Sequence, residues 1–169
     1  SSHRLGKKVT EEYENARKKV ARFVGAKQEE IIFTRNTTES LNLLAESLGK
    51  CLLKRGDHIL ISSAEHHSNF LPWQRLAQEK KIILDVLPHP ENRILGWHDT
   101  KTNLHPKTKL VSFSYVSHVL GAILPAEKIG YELKKRKILF ALDAAQGVAH
   151  LPMNVQKMFC DFLTFSGHK

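Results

Sequence analysis

The stretch ILFALDAAQG, residues 138–147, indicates the fold of this 169-residue chain most directly. It opens with five apolar residues and then turns polar at Asp143 and Gln146. An uninterrupted apolar run is typical of a strand that is buried on both faces, as in a parallel sheet covered by helices. The stretch therefore predicts a buried parallel strand that ends at a polar edge.

Strand-like and helix-like segments alternate around this stretch. The predicted strands are EIIFT (30–34), HILIS (58–62), IILDVLP (82–88), KLVSFSYVS (109–117) and DFLTF (161–165). The predicted helices follow Thr10 as far as Gly25, and span residues 38–53, 70–81 and 125–137, whereas residues 88–108 are expected to be irregular. Thr37 or Thr38 is expected to cap the second helix. This alternation predicts an α/β fold, a mostly parallel sheet with helices on both faces.

Composition limits the classes of protein to be considered. The two cysteines, Cys51 and Cys160, do not suffice for a disulfide framework and suit a reducing compartment. No apolar run reaches the roughly 18 residues of a membrane span, and no secretion signal is visible at the start. We therefore expect a soluble, cytoplasmic protein. The first residue is not Met, so we also expect the natural start to lie upstream.

A net charge of +9 raises the question of an acidic partner. The basic runs near residues 17–22 and 134–137 contain no interleaved aromatic side chains that could stack on bases. We interpret these runs as solvated helix faces, with no nucleic-acid partner. A basic nucleic-acid binder remains the alternative.

Polar residues follow four of the predicted strands. They are TRNTTES (34–40), SSAEHHSN (62–69), DAAQG (143–147) and SGHK (166–169). Ligands of open α/β sheets bind beyond the carboxyl ends of the strands, so we expect the four segments to meet at one edge.

Each segment alone has an ordinary explanation beside a functional one. Hydroxyls at a helix N-terminus suit a phosphate but also cap helices. His66 and His67 are adjacent and point apart, which disfavours zinc and any other metal site. Asp143 either pairs with a cation such as a protonated ring nitrogen or caps a turn. Lys169 is either a surface lysine or an amine able to form a Schiff base. Taken together, these groups are what pyridoxal phosphate requires.

At this point the chain resembles a known family. TRNTTESLN, AEHHSNFLPW, DAAQGVAHLPMNVQKMFCDF and SGHK, in this order and spacing, resemble the cysteine desulfurases and selenocysteine lyases of the class V aminotransferase group. The resemblance begins at HRLG near the start and runs to the end of the chain. It implies pyridoxal 5'-phosphate as cofactor and the large domain of the fold type I architecture over residues 1–169, without the N-terminal start or the small C-terminal domain.

The resemblance also implies a role for individual residues. Lys169 would bind the cofactor as a Schiff base and move protons. Asp143 would pair with the ring nitrogen and Gln146 with the ring's phenolic oxygen, while His66 would stack on the ring and take part in proton transfer. The phosphate would be held by helix amides and by Thr38, Ser166 and His168.

The implied reaction removes sulfur from L-cysteine, leaving alanine and an enzyme persulfide for iron–sulfur cluster assembly. In the family the accepting thiolate lies C-terminal to the lysine, and neither Cys51 nor Cys160 matches it, so we interpret both as structural. We expect a homodimer that passes sulfur to an acceptor protein, and we expect residues 1–169 alone to be inactive.

Two positions depart from the family pattern, and two alternatives stay open. His118 stands where the family usually has Asn, which could alter substrate or turnover, and Asn36 replaces a Gly at a tight turn that we expect to survive. Selenocysteine lyase, kynureninase-like and epimerase chemistry would use the same cofactor residues. The other alternative is a non-catalytic remnant or interaction module.

Overall fold

The computed structural model describes residues 2–90 and 93–169, within which the chain forms one sheet of five strands and six α-helices. The strands are β1 (His58–Ser62), β2 (Ile83–Leu87), β3 (Thr108–Ser114), β4 (Leu139–Asp143) and β5 (Phe162–Thr164). The helices are α1 (Ser2–Val24), α2 (Thr37–Cys51), α3 (His67–Lys80), α4 (Trp97–Thr102), α5 (Ala126–Lys135) and α6 (Val155–Met158).

All strand pairs are parallel, and the order across the sheet is β2-β1-β3-β4-β5. Ser114 pairs with Asp143, and Asp143 pairs with Thr164, so β3, β4 and β5 end level with one another. The order reverses at β1, which is the kind of switch point where open α/β sheets bind ligands. The predicted α/β architecture is confirmed.

Successive residues of the central strands point to opposite faces, and each face carries its own core. In β3, Val111 packs into the core that is covered by α5. Leu110 packs into the other core, which includes Trp73 of α3. Both strand residues are fully buried. Burying an aliphatic side chain of this size contributes about 1.5–3 kcal/mol, which explains why the strands are apolar on both faces.

The expected strand at residues 30–34 is wrong. Glu30 ends a short 3-10 helix, and Ile31 has extended backbone dihedrals but no strand to pair with. The Arg17 side chain donates to the carbonyl of Ile31, so a helix side chain supplies the hydrogen bond that a neighbouring strand would give. Ile32 remains 73% exposed. An extended, apolar segment does not become a strand of the sheet unless a neighbouring strand pairs with it.

Other boundaries differ from expectation. The first helix begins at Ser2, and Thr10 lies inside it, where its hydroxyl donates to the Gly6 carbonyl. The segment expected to be irregular contains α4, whose first turn is stabilised by the Asp99 carboxylate accepting from the Gly96 N–H at 2.9 Å. Pro72 lies in the second turn of α3, since that helix begins earlier than predicted.

Candidate active site

A cavity of about 210 Å³ lies at the carboxyl edge of the sheet. It is lined by segments that follow β1, β3, β4 and β5 and by the beginning of α2. The seven residues proposed from the sequence all line it: Thr38, His66, Asp143, Gln146, Ser166, His168 and Lys169. The four polar segments therefore meet around one space.

The N-terminus of α2 forms one wall. Asn36 caps the helix by accepting from the Glu39 N–H at 2.9 Å, so neither threonine is the cap. Its φ of −171° is extended backbone, which means that the turn does not require glycine. Thr37 is buried against Ser166, whereas Thr38 is exposed and lines the cavity. Hydroxyl groups at the start of this helix therefore line one side of the cavity.

The His66 imidazole forms a second wall. His66 caps α3, and its Nδ1 accepts from the Ser68 N–H at 3.1 Å. Its pKa is lowered, first by burial and then by the charges of His118, Lys169 and His67, although Asp143 acts in the opposite direction. The lowered pKa favours the uncharged form of the ring.

Asp143 ends β4 and is 5% exposed. Its Oδ1 accepts from the Ala145 N–H at 2.9 Å, so it caps the following turn as well as lining the cavity. Burial raises the pKa of this carboxyl, and the positive charges of His66, Lys169 and His118 lower it in part. A cationic group placed in the cavity would relieve this cost of burial.

Lys169, His168 and the half-buried Gln146 complete the cavity. Lys169 lines the same cavity as His66 and Asp143, and its charge lowers the pKa of both groups. An amine, a carboxyl, an imidazole and the hydroxyl groups at the start of α2 thus surround a single space.

Glu65, which was not predicted from the sequence, is hydrogen-bonded to Ser114, a residue that lines this site. Its carboxyl accepts hydrogen bonds from Ser62 at 2.7 Å, Asn69 at 2.7 Å and Ser114 at 2.6 Å. Ser114 also lines the cavity, so Glu65 links the turn that carries His66 to the end of β3. The sequence signal that could have found it is an acidic residue directly after a buried strand, inside SSAEHHSN.

Neither cysteine lines this cavity. Cys51 is the exposed last residue of α2. Cys160 is half-buried, and burial raises the pKa of its thiol to about 12. Neither position brings a thiolate to the groups described above.

Two kinds of feature are absent from the described ranges, residues 2–90 and 93–169. No helix there is long and apolar enough to cross a membrane. Nor do His, Cys, Asp and Glu side chains in those ranges form a group of three or more that could hold a metal ion.

Known proteins resemble this chain over its whole length. The family model for aminotransferase class-V matches residues 1–169. A probable cysteine desulfurase of Pyrococcus abyssi is 44% identical over 167 residues, which is 99% of this chain and 41% of that protein. The chain spans about two fifths of the length of the curated relatives it matches.

Solved structures agree with the sequence matches. The apo structure of cysteine desulfurase from Thermococcus onnurineus NA1 matches 100% of this chain and 42% of its own, with a TM-score of 0.93 and 45% identity. The structure of SspA in complex with cysteine matches 99% of this chain and 48% of its own, with a TM-score of 0.92 and 28% identity. These matches confirm the expected fold type I architecture, and the chain belongs to the class-V aminotransferase family.

Proposed function

We propose that residues 1–169 form the cofactor-binding part of a pyridoxal-phosphate-dependent cysteine desulfurase. The observation that carries this proposal is the convergence of the seven predicted residues on one cavity. The similarity to cysteine desulfurases over 99% of the chain supports it.

The chemistry of the cavity suits pyridoxal phosphate. The wall at α2 offers hydroxyl and N–H donors to a phosphate, from Thr38 together with Ser166 and His168. The buried Asp143 offers a carboxylate to a protonated ring nitrogen, and its raised pKa reflects burial that such a cation would offset. Gln146 offers an amide to the phenolic oxygen.

Lys169 and His66 are the residues proposed to act on the substrate. When bound, pyridoxal phosphate withdraws electrons from the α-carbon of an attached amino acid. Lys169 carries the amine that links the cofactor covalently and, once released, removes the α-proton. His66 packs on the ring face and, because its lowered pKa favours the uncharged form, accepts a proton. Both residues face the same cavity, as these roles require.

L-Cysteine is the proposed substrate. The relatives named cysteine desulfurase and the neighbouring structure with bound cysteine support this choice over other amino acids. The C–S bond of cysteine breaks, its sulfur joins an enzyme thiol as a persulfide, and the carbon skeleton leaves as alanine. Neither Cys51 nor Cys160 lines the cavity, so we assign the accepting thiol to the remainder of the protein.

The fate of the persulfide sulfur and the oligomeric state are proposed on the same grounds. The persulfide sulfur would pass to an acceptor protein and serve iron–sulfur cluster assembly in the cytoplasm. We propose a homodimer, with residues 1–169 contributing the large domain. Apolar side chains left exposed on α1, such as Leu5 at 67% and Val9 at 62%, suit burial against further protein.

Borohydride reduction of the full-length protein tests the proposal. Reduction should fix the cofactor to one peptide, and mass mapping should place the label on Lys169. The Lys169→Ala variant should bind the cofactor only noncovalently and should form no alanine from cysteine. A label on another residue, or none at all after incubation with the cofactor, would overturn the assignment.

A further inference from the structure

His118 lies on a turn that directly follows β3 and reaches the rim of the cavity. The turn is closed by its own backbone, with the Ser117 N–H donating to the Ala122 carbonyl and the Gly121 N–H donating to the Ser117 carbonyl, both at 3.0 Å. Gly121 has φ of +64°, a conformation that side chains rarely adopt. The turn therefore presents His118 from a defined position.

The His118 ring packs edge-on against His66. The ring centroids are 4.9 Å apart, and the planes meet at 74°. His67, the sequence neighbour of His66, is farther away, with ring centroids 6.2 Å apart. Edge-to-face contact at about this separation is the geometry that aromatic rings prefer, so His118 limits how the His66 ring can rotate.

Hydrogen bonding at Nδ1 of His66 suits the neutral ring, because the N–H and the hydroxyl of Ser68 both contact this atom. The Ser68 N–H donates to Nδ1 at 3.1 Å, and a backbone N–H is only ever a donor. With its lone pair on Nδ1 and its proton on Nε2, the ring accepts from both the N–H and the hydroxyl of Ser68. A doubly protonated His66 would lose this bond at the start of α3.

The charges around His66 come from four elements. Asp143 at the end of β4 favours the charged imidazole, whereas Lys169 after β5, His67 on α3 and His118 after β3 disfavour it. Of the three disfavouring groups, His118 lowers the pKa of His66 most, and burial lowers it more than any of them. Ring contact and charge thus act together at the same residue.

We propose that His118 is a positioning residue of this cavity, which holds the His66 ring edge-on through the contact between the two imidazoles. His118 acts through His66. What proton His66 then accepts rests on the proposed function, but the coupling between the two imidazoles does not.

Titration of the histidine rings by NMR in the full-length protein tests this coupling. In His118→Phe the ring contact and the burial remain while the titrating group is lost, so the pKa of His66 should rise. In His118→Asn the shielding ring is lost as well, and the pKa of His66 should rise further. His67→Phe is the matched control, and its shift should be smaller because the His67 ring is more distant.

Two outcomes of the titration would overturn the proposal. They are an unchanged pKa of His66 in both His118 variants, or an equal shift in His67→Phe. These readouts need no turnover, so they are independent of the borohydride mapping that tests the proposed function. In cofactor-loaded protein, the acid limb of the activity profile should also move to higher pH in His118→Phe, and an unmoved limb would contradict the link from His66 to proton transfer.

Discussion

The Oγ1 of Thr37 and the Oγ of Ser166 lie 2.6 Å apart, although the two residues are 129 positions apart in the chain. The Thr37 N–H also donates to the same Ser166 oxygen at 3.2 Å. Both residues are buried, and the pair joins the N-terminus of α2 to the segment between β5 and Lys169. One side of the cavity is therefore held together by two hydroxyls rather than by the sheet.

Removing either hydroxyl should loosen this side of the cavity. We expect Ser166→Ala to lower the free energy of unfolding by about 1–3 kcal/mol, since it leaves the buried Thr37 hydroxyl and N–H without their partner. Thr37→Val should lower it by less, because the Ser166 oxygen still accepts from the backbone N–H of residue 37. The double variant should cost less than the sum, because the residues share one interaction. Urea unfolding of the full-length protein measures this. Thr10→Val, which removes an exposed hydroxyl of α1, is the matched control, and an equal loss there would contradict the expectation.

Asp143→Asn should preserve the fold and impair turnover. The amide can still accept from the Ala145 N–H, but it cannot neutralise a protonated ring nitrogen. We expect a loss of roughly 10²–10³-fold in turnover, as for removal of one electrostatic stabiliser. Exchange of the substrate α-proton in deuterated water measures the step directly. The control is Asp161→Asn, which should retain turnover because Asp161 contacts the other end of β4, at Phe140. Normal exchange in Asp143→Asn would refute the role of Asp143 as partner of the ring nitrogen.

Glu65 should give the protein a pH-dependent stability. Burial raises its pKa above the ordinary value of 4.5, although hydrogen bonds from Ser114, Asn69 and Ser62 oppose this. The folded state thus binds the proton more tightly than the unfolded chain, and the contribution of Glu65 to stability falls as the pH rises from 4.5 through the folded pKa.

The Glu65→Gln variant removes this titration. Its free energy of unfolding, relative to that of the original protein, should increase as the pH is raised from 4.5 through the folded pKa of Glu65. Ser114→Ala should have the opposite effect, because it removes one donor that favours the ionised carboxylate. Urea unfolding at a series of pH values measures both, and parallel pH profiles for all three proteins would contradict the expectation.

The two cysteines should differ in reactivity. At about pH 8, a thiol of pKa about 12 is ionised in roughly one molecule in ten thousand, so Cys160 should react with a thiol reagent far more slowly than the exposed Cys51. Peptide mapping of the labelled full-length protein measures both rates. Cys51→Ser and Cys160→Ser should each keep the desulfurase activity, and loss of activity without loss of folding would make that cysteine the sulfur acceptor.

Local pattern was enough to predict the strands of the sheet and the edge at which the polar segments meet. The apolar runs around Leu60 and Phe140 mark strands buried on both faces, and these strands belong to the sheet as predicted. Polar residues at the ends of parallel strands meet because those ends share an edge, which is why their positions in the sequence suffice to bring Asp143 and Lys169 together. The residues at 30–34 show the limit of this reasoning, since apolar extended sequence has no strand partner there.

The sequence by itself determined the α/β class, the order of the segments and the types of chemical group at the site. Only the tertiary structure decided that Thr37 pairs with Ser166, that Glu65 accepts from Ser114 and that His118 packs on His66. Periodicity and capping act over a few residues and can be read locally. Hydrogen bonds between distant segments, and the burial that shifts pKa values, depend on neighbours that the chain acquires only when it folds.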